Sequence, residues 1–175
     1  MEVDSKKKIK TETIDEQDYL SSLDFITEKI KKVLRKDKIF IQQEGKVKKK
    51  KIKNSTSFKY NLPKDITVNT IFNNFLLKKK NHKNLEFYKL VLEGMKKYFV
   101  ILIAKTLLYK NERNQFTENV EKNNLDPLNF YGVEHLLRFL IKLPKILETQ
   151  VFDKTIDKIT SVSSDLFDFI EKNYI

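Results

Sequence analysis

Apolar residues recur at intervals of three and four along most of this 175-residue chain. That spacing places them on one face of an α-helix, so the pattern predicts a mainly helical protein. Thr67 is a suitable N-cap for one of the helices, because its hydroxyl can accept a hydrogen bond from the first turn. The predicted helices are residues 19–34, a helix after Thr67 that buries Val68, Ile71, Phe72 and Phe75, residues 85–106, residues 132–147, and a final helix that carries Phe152 to Ile170.

Two short stretches depart from the helical pattern. Residues 38–42 and 57–62 are rich in β-branched and aromatic side chains, which favour strands. Pro63 would end the second strand, because proline cannot donate a hydrogen bond to a neighbouring strand. The predicted fold class is therefore mainly α, with a small β-hairpin near the N-terminus.

A lysine-rich segment, residues 44–57, lies between the predicted strands. It contains Lys46, Lys48, Lys49, Lys50, Lys51 and Lys53. Burying these charges without partners would cost several kcal/mol each, roughly, so we expect a solvated loop inserted in the hairpin. Residues 1–18 are charged and carry few apolar positions, which predicts a disordered leader before a single domain at residues 19–175.

The stretch 85–106 carries the broadest apolar pattern in the chain. Its core positions step by three and four, and further apolar residues at Leu90, Val91, Ile101 and Ile103 widen the stripe. A helix that is apolar on most of its circumference is expected at the centre of a bundle. We therefore expect this helix to be the most buried element. The fourth helix contains Pro144, which is expected to kink or shorten it.

Composition restricts the class of protein. Hydrophobic residues make up 40% and aromatic residues 11%, with three glycines and no cysteine, which suits a packed domain without disulfides or thiolate metal sites. The longest apolar run, residues 98–104, is far shorter than the roughly 20 residues that cross a bilayer. We expect a soluble intracellular protein without membrane contact.

The net charge of +11 is concentrated towards the N-terminus. Residues 1–60 hold 17 Lys and Arg against 10 Asp and Glu, whereas residues 61–175 hold 18 against 14. A basic surface of this kind suits nucleic acid or an acidic partner. A general bias of the coding genome towards lysine accounts for the same numbers about as well.

The residues needed for catalysis are scarce. The chain has two histidines and lacks the phosphate-binding, nucleophile-elbow and zinc-protease motifs. Glu134 and His135 are adjacent, so their side chains diverge on a helix. We expect no catalytic residue, metal, cofactor or small-molecule substrate, and we interpret His135 as a polar group satisfied within the helical packing. Glu112 and Arg113 are interpreted in the same way, as helix-end and interhelical partners.

Two polar blocks nevertheless stand out against the apolar helices. The first, LLYKNER at residues 107–113, carries Tyr109, Glu112 and Arg113 near one face of a helix end. The second, YGVEHLLRFLIKLP at residues 131–144, opens on Tyr131 and Gly132, where glycine lets the backbone turn. It then presents His135 and Arg138 one helical turn apart.

Together, in this order and at this separation, the two blocks resemble the MRG (mortality-factor-related) domain of chromatin proteins. The resemblance is strongest between residues 58 and 169. It implies a non-enzymatic scaffold in a nuclear histone acetyltransferase or deacetylase complex. Such a scaffold would hold short partner segments, of the Phe-x-Leu-Pro type or amphipathic, on its helical surface.

The resemblance also implies a shallow peptide pocket. It would be lined by Tyr109, Ile141 and Lys142, with Ile26 and Leu34 from the first helix. The chain departs from the family pattern at Lys38, where tryptophan is usual, and at Arg35, where an apolar residue is usual. Both changes are expected to weaken the pocket.

Two further expectations concern partners. Family members often carry an N-terminal chromodomain, whose methyl-lysine cage needs several aromatic residues. Tyr19 and Phe25 are the only aromatic residues before Ile26, so we expect the methyl-lysine reader to be absent. The alternative function is a basic nucleic-acid-binding module in which the lysine-rich segment makes weak phosphate contacts.

Overall fold

The computed structural model describes residues 25–50, 61–148 and 153–175. Within these ranges the chain forms six α-helices and no strand, which confirms the mainly α prediction. The helices are α1 (Glu28–Lys50), α2 (Val68–Lys78), α3 (Leu85–Leu102), α4 (Arg113–Phe116), α5 (Val133–Glu148) and α6 (Asp153–Tyr174). A π-helical turn, Ile103–Leu107, extends α3, and a second one, Thr117–Glu121, extends α4.

Helix α5 is the centre of the bundle. It packs against α1, α2, α3 and α6, and residues 135–141 are all buried. The rings of Phe99 from α3 and Phe139 from α5 meet edge to face, with their centroids 5.8 Å apart. The prediction that residues 85–106 form the most buried element is therefore wrong. One face of α3 is buried, whereas Leu90 is 71% exposed and Ile101 is 55% exposed on the other.

The start of α2 follows the capping prediction. The hydroxyl of Thr67 accepts a hydrogen bond from the backbone N–H of Thr70 at 3.2 Å. The helix then buries the four predicted residues, Val68, Ile71, Phe72 and Phe75. The fourth predicted helix is also present, and Pro144 lies inside it without ending it.

The predicted hairpin is wrong where the structure describes it. Residues 38–42 belong to α1, and residues 61 and 62 are not in a strand. Residues 51–60, which include Lys51, Lys53 and most of the second predicted strand, lie outside the described residues, as do residues 1–24 with the predicted leader. Residues 44–50 continue α1 and do not form a loop.

The reason for the error at residues 38–42 is visible along α1. Residues Ile30, Leu34 and Ile41 are buried at helical spacing, and the buried residue between Leu34 and Ile41 is Asp37. Ile39 and Phe40, which suggested a strand, are both 48% exposed. A charged residue on the buried stripe hid the helical period. The lysines beyond it are good helix formers, so they extend the helix. The helix begins at Glu28, later than predicted, because residues 25–27 are not helical.

Glycine is needed at position 132 because the segment of residues 64–66 passes close to it. The predicted backbone turn is not the reason. No glycine among the described residues has a positive φ. A Cβ atom at residue 132 would lie 2.8 Å from Cγ of Lys64 and 3.1 Å from the carbonyl oxygen of Ile66. The same two segments are joined by a hydrogen bond from the N–H of Val68 to the carbonyl of Tyr131, at 2.8 Å.

No helix in the described part of the chain combines the length and the apolar character needed to span a membrane.

Candidate functional site

The first polar block is positioned by the end of α3. The π-helical turn Ile103–Leu107 closes with Leu108, whose backbone is extended, so the chain leaves the helix there. Tyr109 and Glu112 then form a turn in which the N–H of Glu112 donates to the carbonyl of Tyr109 at 3.0 Å. The carboxylate of Glu112 in return accepts from the N–H of Tyr109 at 2.8 Å. These reciprocal bonds hold the two residues together at the helix end.

Arg138 of α5 joins this turn to helix α1. Its guanidinium donates to Glu112 Oε2 at 2.7 Å and to the carbonyl of Leu107 at 3.2 Å. On the other side, Nη2 lies 2.6 Å from Oδ2 of Asp37 and Nε donates to the same oxygen at 2.8 Å. All three charged side chains are at most 3% exposed. One buried cation thus binds two buried carboxylates from different parts of the chain.

His135 completes this group, which we call the buried polar cluster (Asp37, Glu112, His135 and Arg138). Its Nε2 lies 3.0 Å from Oε1 of Glu112, and the side chain is fully buried. Because α5 is helical, His135 and Arg138 approach the same carboxylate from consecutive turns.

The electrostatics follow from this burial. Burial alone would raise the pKa of Glu112, but the hydrogen bond with His135 and the charge of Arg138 lower it to about 2. Burial and the neighbouring Arg138 charge hold the pKa of His135 below its ordinary value, against the effect of Glu112. Burial disfavours the charged form of Arg138, yet the carboxylates of Glu112 and Asp37 raise its pKa above the ordinary value. At neutral pH Glu112 and Arg138 are therefore ionised, and His135 is neutral.

Tyr109 lies at the edge of this cluster. The centre of its ring is 4.3 Å from the guanidinium carbon of Arg138, a cation–π arrangement. The ring is half-buried and packs with Leu62 around the buried Ile41 of α1. The adjacent Asn111 donates to the carbonyl of Ile41 at 3.1 Å, which ties the turn to α1. Tyr109 is thus a partly exposed ring that contacts both α1 and α5.

The structure places the remaining predicted pocket residues at different depths. Ile26, Leu34 and Ile141 belong to the buried core, at 5%, 3% and 2% exposure. Lys142 is half-buried, and its ammonium donates to the carbonyl of Thr106 at 2.5 Å. In this conformation the exposed part of the predicted pocket consists of Tyr109 and Lys142.

The two departures from the family pattern lie on α1. Arg35 is half-buried and pairs with Glu28 at 3.4 Å, and Lys38 is half-buried. Neither supplies an aromatic surface beside Tyr109.

The other predicted residues separate into three groups. Tyr131 is buried and its ring lies 4.4 Å from that of His135, so it packs against the cluster. Arg113 is exposed at the start of α4 and takes no part in the cluster. Lys46, Lys48, Lys49 and Lys50 lie on the last turns of α1.

Asp37 is the member of the cluster that sequence patterns alone did not reveal. It follows Leu34 by three positions and precedes Ile41 by four, so it occupies the buried stripe of α1. A carboxylate at such a position is rarely buried unless it is paired, and this could have indicated a partner.

The geometry of the buried polar cluster fits a role in holding the surrounding segments together better than a catalytic role. The cluster is closed to solvent, and the charge of Arg138 is already matched by Asp37 and Glu112. No group of three His, Asp or Glu side chains in the described ranges is arranged to hold a metal ion.

A family model and several known proteins match this chain. The sequence model of the MRG family matches residues 3–174. Protein MRG1 of Arabidopsis thaliana is 30% identical over 174 residues, which is 95% of this chain and 50% of that protein. The NuA4 complex subunit EAF3 homolog of Dictyostelium discoideum is 35% identical over 114 residues, covering 64% of this chain and 29% of that protein. Mortality factor 4-like protein 1 of Homo sapiens is 28% identical over 118 residues, or 64% and 33% of the two chains.

The chain therefore spans half or less of the length of these relatives. The family match covers nearly all of this chain, including both polar blocks and the helices that join them in the cluster. The protein belongs to the MRG family.

Proposed function

We propose that this chain is a non-enzymatic adaptor of a nuclear chromatin-modifying complex, of the histone acetyltransferase or deacetylase type. The names of two relatives support the proposal. The matching proteins of Dictyostelium discoideum and Drosophila melanogaster are each named NuA4 complex subunit EAF3 homolog. The buried polar cluster supports it as well, because its ion pairs join α1, α5 and the turn after α3 beneath the ring of Tyr109.

The proposal rests mainly on the contacts that hold Tyr109 in place at the surface. Its ring is stacked on Arg138, its backbone N–H is bound by Glu112, and part of the ring remains exposed. An aromatic ring held in this way loses little conformational entropy when a partner packs against it. Aromatic side chains of this kind contribute most of the binding free energy at many interfaces.

The proposed ligand is a short apolar segment of another subunit, of the Phe-x-Leu-Pro type or amphipathic. Such a segment binds by placing side chains against pockets between helices. Tyr109 would form the wall, and Lys142 would cover apolar surface with its stem while its ammonium stays at the rim. Ile141, Ile26 and Leu34 would support the site from the core side.

The test is a titration of the protein with a fluorescent Phe-x-Leu-Pro peptide. Tyr109→Ala should weaken binding by about 1–3 kcal/mol, which is roughly 5- to 150-fold, with little change in the melting curve. Tyr109→Phe is the matched control, because it keeps the ring and should retain most of the affinity. If Tyr109→Ala leaves the affinity of the folded protein unchanged, the peptide binds elsewhere.

A second candidate function is the binding of nucleic acid. The observation that favours it is the position of four lysines on the last turns of α1, within a helix that is already rich in Lys and Arg. Phosphate contacts alone would give binding that depends steeply on salt and shows no sequence preference. Peptide docking at Tyr109 predicts a modest salt dependence, so the two functions are separable by titration.

A further inference from the structure

A second surface lies between α3, α5 and α6, and none of its residues belongs to the buried polar cluster. It is a groove of about 220 Å³, and almost all of its exposed surface is apolar. Leu90 on its edge is 71% exposed. Most of the groove is formed by Leu90, Val91, Gly94, Tyr98, Leu147 and Ile159.

Gly94 is the feature that points to a ligand. It lies in the middle of α3, where glycine is less favourable than alanine. Its φ is not positive, and a Cβ atom built there would meet nothing within 4 Å. Neither backbone conformation nor packing within the described chain therefore requires glycine. A missing side chain at this position lets another molecule approach the backbone of α3 closely.

The charges beside the groove indicate what that molecule is. Lys158 lines the groove, and Lys97 is exposed one helical turn after Gly94. Among the residues whose side chains the structure describes (25–42, 61–147 and 156–175), no carboxylate forms an ion pair with either lysine, whereas the nearby Lys96 is paired with Glu93 at 3.1 Å. Within that part of the chain, two positive charges without a carboxylate partner flank an apolar groove, so carboxylates on the ligand would complement it.

The size and charge of the groove argue against two other occupants. Small-molecule pockets are usually about 300–1,000 Å³, which is larger than this groove. A second copy of the chain, with its net charge of +11, would bring lysines against the same lysines. Like charges across an interface oppose association.

We propose that this groove binds an acidic amphipathic segment of a partner protein. Its apolar side chains enter between α3 and α6 and approach the backbone at Gly94, and its carboxylates face Lys97 and Lys158. This site is separate from the one at Tyr109, and its occupation does not depend on a peptide bound there.

The probe is a displayed library of random peptides of about 16 residues, which is roughly four helical turns. It is selected on the wild-type chain, and the enriched peptides are then titrated against variants. We expect enriched peptides with apolar residues at helical spacing and Asp or Glu beside them. Gly94→Leu, which fills the groove, should weaken their binding about tenfold or more. Lys158→Glu should also weaken it, and Tyr109→Ala should leave it unchanged.

The same variants identify the results that overturn the proposal. It is wrong if no peptide is enriched, if basic peptides are enriched, or if the enriched peptides bind Gly94→Leu as tightly as wild type. Sedimentation that shows a wild-type dimer and a Gly94→Leu monomer would assign the groove to a second copy. A clearly lowered melting temperature of Gly94→Leu would show that the chain fills the groove itself. Failure of this site together with weakened Phe-x-Leu-Pro binding in Tyr109→Ala would leave the proposed function intact.

Discussion

The guanidinium carbon of Arg138 lies 4.3 Å from the centre of the Tyr109 ring. The same guanidinium contacts the carboxylates of Asp37 and Glu112 in the interior. The surface ring is therefore supported by an ion cluster that also joins α1, α5 and the turn after α3. Changes in the cluster should affect both stability and the surface on which Tyr109 lies.

Replacing Arg138 tests the contribution of the cluster to stability. Arg138→Met should lower the free energy of unfolding by about 3–5 kcal/mol, because two buried carboxylates lose their cation. Chemical denaturation at pH 7 measures the effect. The matched control is Arg35→Met, whose pair with Glu28 is partly exposed and should contribute no more than about 1 kcal/mol. Similar small losses for both variants would contradict the assigned role of Arg138.

The pH dependence of stability should follow from Glu112 and His135. The folded-state pKa of Glu112 is about 2, below its ordinary value of 4.5, so its contribution is present above about pH 4.5 and is lost as the pH falls towards 2. The folded-state pKa of His135 is lowered from 6.5, so the unfolded chain binds its proton first and stability begins to fall below about pH 6.5. Both groups therefore destabilise the fold on acidification.

Denaturation at a series of pH values between 7 and 3 would measure this slope. The shift of Glu112 corresponds to a loss on the order of 3 kcal/mol over its range. In Glu112→Gln the slope should flatten, because the amide does not titrate, while the stability at pH 7 falls. A slope of the same steepness in wild type and Glu112→Gln would assign the acid sensitivity to other carboxylates.

Replacing Gly94 on α3 and Gly132 just before α5 with alanine should change the free energy of unfolding in opposite directions. Gly94→Ala meets open space and should raise the free energy of unfolding by about 0.5–1 kcal/mol, since alanine favours the helix. Gly132→Ala should lower it by about 1–3 kcal/mol, because its Cβ would crowd Lys64 and the backbone of Ile66. Thermal melts of the two variants provide each other's control. A loss of stability in Gly94→Ala would show that the space above α3 is occupied.

The lysines at the end of α1 should affect nucleic-acid binding without affecting the fold. Replacing Lys46, Lys48, Lys49 and Lys50 with glutamine keeps good helix formers, so the melting temperature should stay nearly constant. If these lysines bind phosphates, the salt slope of DNA binding should become shallower by about 0.9 for each phosphate that is no longer neutralised. The control replaces four exposed lysines elsewhere, namely Lys80, Lys83, Lys105 and Lys122. Equal changes in the two variants would indicate a nonspecific effect of net charge.

The sequence alone predicted the structural features that depend only on residues close together in the chain. The cap at Thr67 and the buried face of α3 could be predicted, because capping and helical periodicity act within one or two turns. The second polar block could likewise be placed at the start of a helix, whereas Tyr109 and Glu112 of the first block lie in a turn after α3, and Arg113 does not share their face. The family resemblance followed from these blocks and was confirmed by the family match.

Tertiary contacts decided the features that local patterns predicted incorrectly or did not reveal. Asp37 is buried because it pairs with Arg138, which is 101 residues away, and this pair lets α1 continue through a stretch that resembles a strand. Gly132 is needed because residues 64–66 approach it. Whether the second apolar face of α3 was buried depended on the positions of α5 and α6. They cover one side of that helix and leave Leu90 and Ile101 exposed. Helical periodicity identifies apolar faces, but only the packing of distant segments determines which of them are covered.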